Sequence, residues 1–269
     1  MRLSVGAALP LRRPQLAHLR LGATAILLRS KDAELEHRRL LEGGLESMQS
    51  IAEQCIVLHK DLSIQVRLSC AWSRLLMLPA ITQLTREEHW RNYARARFEQ
   101  IYADDADKWD IRLARDLPGR NRLAVAWPAA LRERLLALTN VRSVRVDLLE
   151  QLGLLLAQIP TFSGCLLEIE PGGAGMFLLS SGKLRRTRWC RFENAQGLAA
   201  AVCSEWAGVR TNEAVAPGET ALALASAAPR ADTDQARAVR LLASQMGISR
   251  AFSLADRTPC ASSHLAAVR

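Results

Sequence analysis

A strand, a glycine turn and a returning strand occur twice in this chain, about 150 residues apart, and that repetition restricts the fold more than any other feature. The second copy is the clearer one. Gly164–Glu170 (GCLLEIE) leads into the turn Pro171–Gly175 (PGGAG), then Met176–Ser180 (MFLLS), the pair Ser181–Gly182 and Lys183–Arg191 (KLRRTRWCR). The first is shorter: Leu16–Leu21 (LAHLRL), a Gly22–Ala23 turn, and Thr24–Arg29 (TAILLR). Two such hairpins, each near the start of one half, predict a duplicated lobe.

From Gly164 onward the pattern is regular. Three strands form a meander, and Asn194 is placed to cap a helix whose Leu198, Ala201, Val202 and Trp206 share one face. Thr220–Ala225 reads as a short strand and Ala227–Thr233 as a small-residue loop. Asp234–Met246 reads as a helix stopped by Gly247, and Ile248–Leu254 as a final strand. Three antiparallel strands, helix, strand, helix, strand is an order that resembles the ribonuclease-H-like half of the actin fold.

The first half fits the same plan if it carries an insertion. Asp32–Gln54 holds Leu35, Leu40, Leu41, Leu45, Met48 and Ile51 at helical spacing, with a bend expected at Gly43–Gly44. Strands follow at Leu62–Ser69 and Arg74–Leu78, joined by a Cys70–Ser73 turn. Thr85 and Glu88 form a capping box for a helix running to about Tyr102. Its stripe of Trp90, Tyr93, Ala94, Phe98 and Ile101 reads as core. Lys108–Arg115 and Arg122–Trp127 are strands, Pro128 opens a helix to Leu138, and Val141–Val146 is a strand. Asp147 is expected to cap a leucine-rich helix ending at Pro160. The expected division is a basic tail over residues 1–13, a first lobe with its insertion over 14–160, a second lobe over 161–254 and a C-terminal tail over 255–269. The expected fold class is α/β, a two-lobed fold resembling actin with a subdomain inserted in the first lobe.

Composition removes several function classes. No apolar run approaches the ~20 residues a membrane helix needs, and no secretory signal is recognisable, so a cytoplasmic location is expected. Six cysteines and five histidines are scattered without the close spacing of zinc ligands, so neither a structural metal nor disulfides are expected. The net charge of +9 is dispersed arginine with only four lysines, which reads as soluble faces more simply than as a nucleic-acid patch. The strand Lys183–Arg191 carries charge on both faces, as a protected edge strand does.

Chemical motifs are sparse. PGGAG lacks the G-K-[ST] ending of a Walker A loop and precedes a strand, not a helix. It reads as a strand-connecting turn using glycine for positive φ, with an anion-holding nest of backbone N–H groups as the alternative. There is no G-x-S-x-G elbow. Asp104, Asp105 and Asp107 lack the glycine and terminal glutamate of a calcium loop. No catalytic residue is assigned.

The block from Leu68 to Leu138, with RLSCAWSRLLMLP, EEHWRNYARARFEQIY and RLAVAWPAALRERL, is similar to bacterial proteins that look like the actin-like cytoplasmic proteins of type IV pilus and type II secretion assembly. The resemblance spans about residues 15–255. It implies a scaffold beneath an inner-membrane machine, binding the cytoplasmic tail of a membrane partner, with peripheral membrane association as an extension. It also implies two phosphate loops. The candidates for phosphate binding are Gly22 and Ala23 in the first turn, and Glu168, Glu170, Gly172, Gly173 and Gly175 in the second. Where relatives carry D-x-G, this chain has Arg20-Leu21-Gly22, and Leu224–Pro229 (LASAAP) lacks the adenine-facing glycine pair. Because phosphoryl transfer depends on metal and positioning, those losses argue against hydrolysis. The leading expectation is a non-hydrolysing scaffold without cofactor. The alternatives are an ATP–Mg²⁺-binding switch without fast turnover and a basic nucleic-acid-binding protein.

Overall fold

The computed structural model describes residues 15–23, 25–30, 34–38, 44–102, 106–114, 121–171, 173–213, 221–224, 241–242, 244–245 and 250–254, and among them thirteen strands and five longer α-helices build the fold. In chain order they are β1 (Gln15–Leu21), β2 (Ala25–Ser30), β3 (Glu34–Arg38), α1 (Gly44–Leu58), β4 (Leu62–Leu68), β5 (Arg74–Leu78), α2 (Glu87–Tyr102), β6 (Trp109–Leu113), β7 (Arg122–Pro128), α3 (Ala129–Ala137), β8 (Val141–Val146) and α4 (Asp147–Gln158). The second half continues with β9 (Gly164–Glu170), β10 (Gly173–Ser180), β11 (Lys183–Arg191), α5 (Ala195–Glu213), β12 (Ala221–Leu224) and β13 (Arg250–Ser253).

The duplication is explicit in the sheets. The first has the order β3-β2-β1-β4-β8 and the second β11-β10-β9-β12-β13. In both, an antiparallel meander is extended by two parallel strands added beside its first member. A third sheet, β5-β7-β6, is entirely antiparallel and lies in the insertion between β4 and α3.

Alternation explains the cores. Ala17, Leu19 and Leu21 of β1 pack with Ile64, Val66 and Leu68 of β4 under Met48 and Ile56 of α1 and Leu131 and Leu135 of α3. A bulge in β8 lets Val141 and Val144 both reach this core, where strict alternation would part them. In β10, Met176 and Leu178 face α5 and its Leu198, Val202 and Trp206. Phe177 and Leu179 face the other way, onto Leu148 and Leu155 of α4 and Leu75 and Val125 of the inserted sheet. That shared layer joins the three sheets. α2 closes the far side of the insertion with Trp90, Ala94 and Phe98.

Several expectations change. Residues 34–38 are not helical but form β3, paired to β2, and α1 begins only at Gly44. The helical spacing of Leu35 and Leu40 is overridden by the free edge of the meander, which recruits the segment as a third strand. β4 and β5 do not pair. The former is an inner strand of the first sheet, and the latter is the first strand of the inserted one. Pro128 is the residue before α3, not its first helical residue. Asp147 is likewise not the cap of α4: Val146 holds that position, and Asp147 lies in the first turn. Asn194 does cap α5, its Oδ1 accepting from Gly197 N–H at 2.9 Å. The two tails, the 227–233 loop and most of the expected 234–246 helix lie outside the described residues.

Candidate functional site

The side chains of β1 alternate, so Arg20 points away from the first core and toward the second sheet. On β9 the same rule places Glu168 and Glu170 on one face, opposite Leu167 and Ile169, which pack under α5. These two faces meet. Arg20 Nη2 donates to Glu168 Oε1 at 2.8 Å and also to Glu170 Oε1, while Arg20 Nε donates to Asp147 Oδ2 at 2.7 Å. The two turns are thereby in contact, because Ala23 N–H donates to Glu170 Oε2 at 2.9 Å.

The cluster extends on both sides. Cys70 N–H donates to the second oxygen of Glu168 at 2.9 Å. Arg67, which lies beside Arg20 in the β1–β4 register, meets Asp147 at 3.9 Å and Glu150 at 2.8 Å. Two adjacent arginines are tolerable only because carboxylates from α4 and β9 interleave with them. Glu168 is fully buried, Asp147 is 2 % exposed and Arg20 itself 15 %. Burial alone disfavours the Arg20 charge, but Glu170, Glu168 and Asp147 more than compensate, so its pKa rises and it stays cationic. Burial pushes the Glu168 carboxyl up to about 8 against the pull of Arg20, with Asp147 and Glu170 adding to the rise.

The glycines serve packing here. A Cβ at Gly175 would lie 2.7 Å from the Cys70 Cβ and 3.1 Å from Leu148 Cδ2, and one at Gly173 would lie 2.9 Å from the Trp189 ring. Both residues belong to strand β10, and neither has positive φ. The sequence reading of these glycines as turn residues needing positive φ is therefore corrected: close approach of neighbouring side chains requires them. Gly22 has a similar role, since a Cβ there would lie 3.2 Å from both an Arg20 nitrogen and Glu170. Gly172 lies outside the described residues.

Of the sequence candidates, Gly22, Ala23, Glu168 and Glu170 converge on one cluster, while Gly173 sits under Trp189 and Gly175 against Cys70 and Leu148. Asp147 and Cys70 were not recognised as members. The signal for Asp147 was present: a carboxylate directly after a strand and inside a first helical turn, where it can face back onto the sheet. Two of the basic residues of β11 are paired within the fold: Arg186 and Arg188 both meet Glu205 of α5, at 2.7 and 3.1 Å.

Neither models of known protein families nor curated proteins match this chain. Solved structures do. A Bacteroides thetaiotaomicron protein with actin-like ATPase fold and unknown function aligns over 90 % of this chain and 91 % of its own, at 9 % identity and a TM-score of 0.59. A chain of a PilM–PilN type IV pilus biogenesis complex aligns over 89 % of this chain and 88 % of its own, at 14 % identity and a TM-score of 0.55. The cytoplasmic domain of EpsL, an inner-membrane component of the type II secretion system of Vibrio cholerae, aligns over 86 % and 94 %, at 16 % identity and a TM-score of 0.49. The chain has a two-lobed, actin-like α/β fold, with an inserted sheet in its first lobe. No helix among the described residues is long and apolar enough to cross a membrane.

Proposed function

We propose that this chain is a non-hydrolysing actin-like scaffold that binds the cytoplasmic tail of a membrane partner in a pilus- or secretion-type assembly. One observation carries the first part. The space between the two hairpin turns holds the Arg20 guanidinium, already bonded to Asp147, Glu168 and Glu170. Phosphoryl transfer at such turns needs acids free to organise a divalent cation and its waters. Here the acids are already engaged from within, by a guanidinium that occupies the place a divalent cation would need. The likeness in fold to a chain of a pilus biogenesis complex supports the second part, with residues 14–160 and 161–254 as the two lobes and a position peripheral to the inner membrane.

Calorimetry with ATP and ADP, with and without Mg²⁺, tests the first part. No binding heat is expected even at about millimolar ligand, and a Kd near micromolar would overturn the reading. Recovery of an inner-membrane assembly protein in a pull-down tests the second. The pairing of Arg186 and Arg188 with Glu205 weakens the nucleic-acid alternative, for which flat titrations at low salt are expected.

A further inference from the structure

The link from β4 to β5 is five residues long, Ser69 to Ser73, and is tied at every point. At its start, Ser69 N–H donates to Leu21 O at 3.0 Å and Cys70 N–H to Glu168 at 2.9 Å. In its middle, the Trp72 indole donates to Gly22 O at 2.7 Å, across the first hairpin turn. Within it, Ser73 Oγ donates back to Ser69 O at 3.0 Å. The segment therefore touches the first hairpin turn and strand β9 of the second hairpin, both part of the Arg20 cluster.

Its other end belongs to the insertion. Arg74 folds back to donate to the carbonyls of Cys70, Ala71 and Ser73 at 3.2 to 3.4 Å. Its guanidinium lies over three rings from three elements: Tyr102 of α2 at 5.7 Å, Trp109 at the start of β6 at 5.4 Å and Trp189 of β11 at 4.9 Å. The next carbonyl, Leu75 O, accepts from Tyr102 Oη at 3.0 Å and from Thr187 Oγ1 at 3.2 Å, one from the inserted helix and one from the second sheet.

We infer that Ser69–Leu75 is a rigid strut coupling the inserted sheet and α2 to the Arg20 cluster, so that a displacement of α2 or β6 alters the cluster without either element touching it. The physical basis is length and saturation. A five-residue segment bonded at both ends has no slack to absorb a shift of either end, and packed elements transmit displacement instead of damping it. A motion of α2 or β6 pulls Tyr102 and Trp109 against Arg74. That moves the carbonyls Arg74 holds, and with them the Cys70 N–H on Glu168. This inference goes beyond the scaffold reading and stands whether or not the chain binds nucleotide.

Hydrogen–deuterium exchange on the full chain tests it in both directions, because coupling between two sites is reciprocal. The variants Arg74→Lys and Trp189→Phe keep charge and apolar bulk while removing the planar fork or the indole. Each is expected to speed exchange about five-fold or more in peptides covering residues 20–23 and 168–170, with little change over 198–206 of α5. Glu170→Gln, a conservative change at the opposite end, is expected to speed exchange in peptides covering 99–102 and 109–113. Effects confined to residues 69–75 and 185–191 in the first pair would overturn the inference. So would silence at α2 and β6 in Glu170→Gln, which remains informative if either of the other variants fails to fold.

Discussion

Replacing Arg20 with alanine is expected to destabilise the protein by about 3–5 kcal/mol, read from the midpoint of urea denaturation. The reason is what stays behind. Asp147, Glu168 and Glu170 are 2 %, 0 % and 7 % exposed at their side chains, and among the described residues Arg20 is the one guanidinium that touches all three. Without it, Arg67 is the one cation among the described residues that remains close by, 3.9 Å from Asp147, and it is already engaged by Glu150. Buried like charges then face one another in a medium that screens them poorly.

The pH dependence of that loss has a definite sign. Burial raises the Glu168 pKa, so the folded state keeps that proton to a higher pH than the unfolded chain does. Stability associated with that proton is full below the unfolded carboxylate pKa and falls as pH rises through the folded value. Removing Arg20 takes away the charge that pulls this pKa down and raises it further. The deficit of Arg20→Ala should therefore shrink as pH is lowered from about 8 to about 5, where the carboxyls can take up protons. A deficit that grew on acidification would show that the cluster is not what the arginine supports. Combining Arg20→Met with Glu170→Gln should cost less than the sum of the two, since each change lightens the imbalance left by the other.

The parts of this fold that were legible in the sequence are those whose residues announce a period or a cap. β9 to β11 are apolar or alternating runs set off by glycine turns, Asn194 is a good cap, and α2 carries Trp90, Ala94 and Phe98 at helical spacing, so local pattern and tertiary burial agree. β3 was not legible, because Leu35 and Leu40 mimic a helix and only pairing with β2 decides the matter. The site was half legible for the same reason. Arg20 stood out as a departure at the first turn, and Glu168 and Glu170 as candidates at the second, but nothing local says that a residue 148 positions away supplies the partner for Arg20. Asp147 was read as a cap from its place before a helix. In the structure its carboxylate turns to Arg20, and that bond defines the junction.

Gly175→Ala is expected to be the second most damaging change, at about 2–4 kcal/mol, although the residue is a strand position with ordinary backbone angles. One methyl group placed 2.7 Å from the Cys70 Cβ and 3.1 Å from Leu148 Cδ2 cannot be accommodated by rotating a side chain, because a Cβ is fixed to its backbone. Either the Cys70 segment withdraws from β10 or α4 does. Withdrawal of Cys70 lengthens its N–H bond to Glu168, and withdrawal of α4 carries Asp147 away from Arg20. Both routes loosen the same cluster that Arg20→Ala disrupts. The double variant should accordingly lose clearly less stability than the two single losses added together, with a coupling of about 1 kcal/mol or more. Strict additivity would mean that the glycine packs a separate region and that the junction of the two sheets does not depend on Arg20.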